Sequence, residues 1–177
     1  RVPMVVAVGP SGSGKSSVVR AGLLPAIRRG AVPGSDRWFV TTMVPGSDPI
    51  AALEVALLRV AVNPPASLRE QLAEPGGLLR AVRRVLPDDG ATVLLVVDQF
   101  EELFTQNTPD EQHRFSELLN RLVLEADVFV VLSLRDDFLM QCRDFEALEP
   151  VFTDITALPE SKGADAHDTH LVRGGHA

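Results

Sequence analysis

Apolar residues in this chain fall into short continuous runs, with stretches of helical character between them. Met4 to Val8, Trp38 to Val44, Thr92 to Val97 and Val128 to Leu134 are rich in valine and leucine and read as buried strands. The third, TVLLVV, is apolar on both faces, the pattern of an inner strand of a parallel sheet. A last run, VFTDITAL over 151–158, reads as a fifth strand. A helix is expected from Gly14 to Arg28, with Pro25 placed to kink or shorten its last turn and Gly30 as a stop. Asp48 is positioned to cap a helix opening at Pro49 and running to Val62, before Asn63-Pro64-Pro65. Ser67 with Glu70 marks a short helix, and another is expected over Leu78–Leu86. Thr108 with Glu111, and Pro109 between them, opens a helix to Glu125; a final helix is expected over Asp136–Leu148.

Strands alternating with helices predict an α/β fold: a parallel sheet with helices on both faces, over a domain of residues 1–158. From Pro159 the chain turns polar, glycine-rich and aperiodic, ESKGADAHDTHLVRGGHA, so residues 159–177 read as a disordered tail.

Charge adds one constraint. Residues 1–97 carry 11 basic and 7 acidic groups, net +4; residues 98–177 carry 6 basic and 17 acidic groups, net −11. A nucleic-acid-binding protein needs a basic face, so direct nucleic-acid binding is not expected, and Arg80, Arg83 and Arg84 read as a solvated helix face. No apolar run approaches the ~20 residues of a membrane span. The chain starts with Arg rather than Met and reads as an excised or processed piece without a signal peptide. Cys142 is the sole cysteine, so no internal disulfide forms; this suits a reducing cytoplasm. His167, His170 and His176 fall in the tail, which offers no scaffold for a metal.

The chemistry concentrates at three strand ends. After the first, Gly9-Pro10-Ser11-Gly12-Ser13-Gly14-Lys15-Ser16 fits G-x-x-x-x-G-K-[ST] at every fixed position. A loop that wraps a phosphate must turn several N–H groups inward, and glycine provides the backbone angles. The following helix adds the positive end of its dipole. Lys15 supplies a charge for the β- and γ-phosphates, and Ser16 a hydroxyl for Mg²⁺. After the third strand, VLLVVD ends in Asp98, the acidic group such a loop needs to help hold Mg²⁺. Many ATPases place a glutamate next, to activate the attacking water. Here that position is Gln99, which orients water but accepts a proton poorly. Glu101 or Glu102 would then supply the carboxylate, with Glu101 nearer Asp98 in sequence; the plainer alternative makes both the first-turn charges of a helix. After the fourth strand, Ser133 and Arg135 are candidates to sense the γ-phosphate, and Arg135 to stabilise charge on the transferring phosphoryl. Alternatively Arg135 pairs with Asp136 or Asp137 at a helix start.

GPSGSGKSSVVRAGLLPAI, WFVTTMVPGSDPIAAL, VLLVVDQFEELF and LSLRDDFL together resemble the STAND class of P-loop NTPases, in particular the bacterial branch often fused to WD-repeat β-propellers or DNA-binding modules. The resemblance spans roughly residues 2–158. It implies a signalling switch that binds ATP, or GTP, with Mg²⁺, changes shape, self-associates or acts on fused sensor and effector domains, and is reset by hydrolysis. It places Gly9 to Ser17 around the phosphates, Asp98 at Mg²⁺, Glu101 and Glu102 in the acidic pair, and Arg135 at the arginine after the fourth strand. The expected sheet has five parallel strands in the order 5-1-4-3-2. Against the family pattern, the chain continues into its polar tail where a helical lid and winged helix would follow. Slow hydrolysis is expected from Gln99. The alternatives are a small-molecule or nucleotide kinase and a non-hydrolysing module that binds nucleotide for stability; a helicase-like motor fits the acidic second half poorly.

Overall fold

A computed structural model describes residues 4–61, 67–68, 70, 82, 91–126, 128–145, 148, 154–157 and 170–173. β1 (Met4–Gly9), β2 (Phe39–Met43), β3 (Val93–Val97) and β4 (Val128–Arg135) all run parallel, in the spatial order 2-3-4-1. The apolar runs explain this placement. In β3 every residue is buried: Val93, Leu95 and Val97 face one side, and Leu94 and Val96 the other. Burying each such side chain contributes roughly 1.5–3 kcal/mol.

The sheet departs from the expected five parallel strands. The parallel part has four, and the place beside β1 is taken by β6 (His170–Arg173), which pairs antiparallel with it. β5 (Asp154–Ala157) pairs antiparallel with β6 at the sheet edge, so the order is 2-3-4-1-6-5 rather than the 2-3-4-1-5 implied above. Four residues of the stretch read as a tail thus belong to the sheet. The physical reason is that an edge of β1 left unpaired offers a row of backbone donors and acceptors, and almost any short extended segment can satisfy them.

Helical segments cover both faces. After the glycine loop come α1 (Lys15–Ser17), a widened π-helical segment Val18–Leu23, and α2 (Leu24–Arg28). In this widened segment the Leu24 N–H reaches Val19 O, one residue further back than an α-helical bond. Pro25 has no N–H, and its ring would crowd the Ala21 carbonyl in a regular turn, so the wider turn removes that conflict. Val19, Leu24 and Ile27 pack against Ala7, Leu94, Val96 and Val131 on that face. Trp38 stacks on Phe129 there, with ring centroids 4.5 Å apart.

The opposite face carries α3 (Pro49–Leu58) and, after a short α4 (Glu102–Gln106), the long α5 (Pro109–Glu125). Both long helices start as the sequence predicts. Asp48 Oδ1 accepts from Ala51 N–H at 3.0 Å. Thr108 and Glu111 form a reciprocal capping box with Pro109 in the first turn. Leu53 and Leu57 of α3, and Phe115, Leu119 and Leu122 of α5, are fully buried against the sheet. Thr108→Ala removes the acceptor at the start of α5; chemical denaturation is expected to register a loss of about 1 kcal/mol.

β4 runs into a 3₁₀ turn, Asp136–Phe138, and α6 (Leu139–Arg143). Apart from the helical, buried Val82, the helix expected over Leu78–Leu86 lies outside the described residues, as do most of that opening at Ser67 and His167 and His176. Among the described residues no helix is long and apolar enough to cross a membrane.

Candidate functional site

Parallel pairing puts the carboxyl ends of β1 to β4 on one edge of the sheet. Gly9 lies opposite Arg135, and Met43, Val97 and Leu132 are in line, so the glycine loop, Asp98 and the segment after β4 meet there. Such an edge is the usual ligand position in an open α/β sheet.

The glycine loop bends through two left-handed residues, Gly12 at φ 76° and Gly14 at φ 84°. A Cβ added at either would meet nothing within 4 Å, so the loop selects glycine for its backbone angle rather than for space. Ser11, Gly12, Gly14 and Ser17 are exposed, whereas Pro10, Ser13 and Ser16 are half-buried. Lys15 follows at 9% exposure, and its Nζ donates to Gly9 O and to Pro10 O, each at 2.7 Å. Burial lowers its pKa; Glu101 is the largest opposing influence, followed by Asp136, while Arg135 lowers it further. The ammonium is thus folded onto the carbonyls of its own loop, where phosphate oxygens would compete for its protons.

Asp98 is 3% exposed and highly partnered. Ser16 Oγ donates to Oδ1 at 2.8 Å, Ser133 Oγ donates to the same oxygen, and Gln99 N–H reaches it at 3.1 Å. Arg20 donates to Oδ2 at 2.9 Å. Burial favours the neutral acid, but the hydrogen bonds from Ser133 and Ser16, then Arg20 and the Gln99 N–H, outweigh it and hold the carboxyl below its ordinary 3.8. Since the folded pKa is the lower one, this stabilisation is complete above pH 3.8 and disappears as pH falls through the folded value. Asp98→Asn is therefore expected to be less stable at neutral pH and to lose less on acidification than wild type. Thermal melts between about pH 6 and about pH 2 measure the difference.

Gln99 turns the chain sharply. It sits at φ 52°, an uncommon angle for a residue with a side chain, and its N–H is also 3.0 Å from Ser133 Oγ. The turn leaves Gln99 exposed and sends Phe100 into the core at 0% exposure. Glu101 and Glu102, both half-buried, then part company. Glu102 begins α4, where an acidic side chain suits the helix dipole. Glu101 precedes it, with Oε2 buried and lacking a hydrogen-bond partner among the described residues. Burial pushes the Cys142 thiol up and Glu101 adds to the shift, so Cys142 is an inert core thiol.

Arg135, opposite Gly9, is engaged with its own neighbours in the chain. Its guanidinium forms a bidentate pair with Asp137, with Nε donating at 3.0 Å, and lies 5.4 Å from the centroid of the Phe138 ring. Ser133 was a candidate sensor on sequence grounds; its visible role is to fix Asp98. Arg20 was not singled out at all, although the signal was present: it follows Ser16 by four residues, which puts both on one side of a helix, toward Asp98.

These residues suit a metal-bound polyphosphate. Two buried polar atoms, Ser13 Oγ and Glu101 Oε2, lack partners among the described residues and border the loop and the strand end. Among the described residues no group of three or more His, Cys, Asp or Glu side chains gathers to hold a metal alone. Magnesium needs none, since one carboxylate, one hydroxyl, substrate phosphates and water complete its shell.

The chain matches the family described as Novel STAND NTPase 1 over residues 1–167. No curated protein matches it.

Proposed function

Because the chain belongs to the Novel STAND NTPase 1 family, we propose that it binds ATP, or GTP, with Mg²⁺ and hydrolyses it slowly, as the nucleotide switch of a cytoplasmic signalling protein. Family membership by itself suggests nucleotide binding and hydrolysis. The observation that carries the fuller reading is the Ser16–Asp98 contact at 2.8 Å, which joins the glycine loop to the β3 end. Ser16 and Asp98 would hold Mg²⁺, which when bound offsets the charge of the phosphates. The loop amides and Lys15 would bind the phosphate oxygens, with Lys15 giving up its bonds to Gly9 O and Pro10 O.

Hydrolysis breaks the bond between the γ-phosphorus and its bridging oxygen as water attacks. Glu101 is the better placed of the two acids to take the proton of that water, since it has a buried, unpartnered oxygen and is the charge that acts most on Lys15. Gln99 would orient the water without accepting its proton, which supports a slow reaction. Arg135 would contribute after leaving Asp137, as a sensor of the γ-phosphate. Self-association, or coupling to fused sensor and effector domains, would carry the signal.

The test is mass in solution with Mg·ADP and with Mg·ATP, beside steady-state turnover. A mass increase with the triphosphate alone and turnover well under about 1 s⁻¹ support the switch. Rapid turnover without any nucleotide-dependent change in mass would contradict it.

A further inference from the structure

Arg20 is the one cation on Asp98 among the described residues, and nothing in the phosphate-binding pattern requires it. Its guanidinium lies 2.9 Å from Oδ2 although its side chain is 61% exposed, whereas that of Asp98 is 5% exposed. A buried carboxylate needs compensation, and three neutral donors, Ser133, Ser16 and the Gln99 N–H, crowd onto Oδ1. Oδ2 is left for Arg20. Magnesium approaching the same carboxylate meets a positive charge already in place, and two cations against one carboxylate repel each other.

We propose that Arg20 is a built-in counter-ion that holds Oδ2 of Asp98 and must yield when Mg²⁺ binds the same carboxylate. This deepens the proposed function and rests on it, because it assumes that Asp98 is the magnesium carboxylate. The displaced side chain has room. Arg20 already lines a pocket of ≈450 Å³ that it shares with Thr42, Met43 and Val44 at the β2 end, Ala51 and Val55 on α3, and a second cation, Arg59. Its three-methylene stem and exposure let the guanidinium swing toward that pocket. Arg20 thus balances the charge of Asp98 and opposes the metal, so the protein binds the metal–nucleotide complex less tightly than the bare ligand set would allow.

The experiment measures ADP affinity by calorimetry in Mg²⁺ and in EDTA, for wild type, Arg20→Gln and Arg20→Lys. The readout is the ratio of the two affinities. Arg20→Gln is expected to raise that ratio about two- to fivefold, the range of a partly exposed ion pair, while affinity in EDTA changes by less than about 1.5-fold. Arg20→Lys, which keeps the charge but not the fork, should fall between the two. In the nucleotide-free state Arg20→Gln should also melt at a lower temperature, because Asp98 loses its counter-charge. An unchanged or reduced ratio in Arg20→Gln, with wild-type binding intact, overturns the counter-ion proposal and leaves the proposed function standing. A folded wild type with no affinity for ADP in either buffer overturns the proposed function and this inference with it.

Discussion

Lys15→Ala is expected to weaken triphosphate binding by about 10- to 100-fold, the loss that follows from removing charge-assisted hydrogen bonds to phosphate. The fold should survive. Among the described residues Lys15 Nζ bonds only to Gly9 O and Pro10 O, both carbonyls of its own loop, and joins no two strands of the sheet. Its burial lowers its pKa, so part of its interaction with the protein is unfavourable to the charge, and alanine removes that penalty as well. Alanine also leaves Gly12 and Gly14 free to hold their left-handed angles, so the loop amides remain in place. The expected outcome is a folded protein with an unchanged melting temperature and a much weaker response to nucleotide. Calorimetry beside a thermal melt checks both halves. A variant that unfolds would mean the lysine supports the loop more than its bonds indicate.

Glu101→Gln is expected to slow hydrolysis by about 100-fold or more, with nucleotide affinity changed by less than about threefold. The amide has nearly the same shape but cannot accept the proton of an attacking water. Glu102→Gln should slow it by less than about threefold, because Glu102 sits in the first turn of α4, where its charge serves the helix dipole. The pair of variants therefore separates two residues adjacent in sequence. Single-turnover hydrolysis, which isolates chemistry from product release, is the measurement. Equal effects of the two variants, or none from Glu101→Gln, would remove Glu101 from the reaction.

Much of this architecture was legible in the sequence because its signals are local. The four parallel strands follow from continuous apolar runs, and the starts of α3 and α5 from Asp48, Pro49, Thr108, Pro109 and Glu111, all acting within one helical turn. The glycine loop and Asp98 were legible for the same reason: each is a residue pattern with a backbone cause. What escaped depends on distant partners. β6 is four residues, His170–Arg173, inside a polar stretch, and its place comes from backbone pairing with β1 more than 160 positions away rather than from its own pattern. The antiparallel turn of β5 follows from that pairing. Arg20 reads as an ordinary helix-surface arginine until Asp98, 78 positions later, lies beside it. The ambiguity at Arg135 was between two partners. The structure pairs it with Asp137, one of the two neighbouring acids, Asp136 and Asp137, that the sequence offers as the alternative to a sensing role. The sequence favours Glu101 over Glu102 only by its nearness to Asp98; the sharp turn at Gln99 divides them, and an angle of φ 52° for a glutamine is dictated by the surroundings of the β3 end and not by glutamine itself.

The central claim is that the glycine loop and Asp98 together grip a metal-bound triphosphate. Thermal melting of the wild-type chain with and without Mg·ATP tests it most directly. At about 100 times the dissociation constant, binding adds about 2.7 kcal/mol, which for a domain of this size raises the melting temperature by roughly 5–10 °C. The account predicts that rise, diminished in Lys15→Ala. A folded wild-type protein whose melting temperature does not move at any concentration of Mg·ATP or Mg·GTP would contradict it.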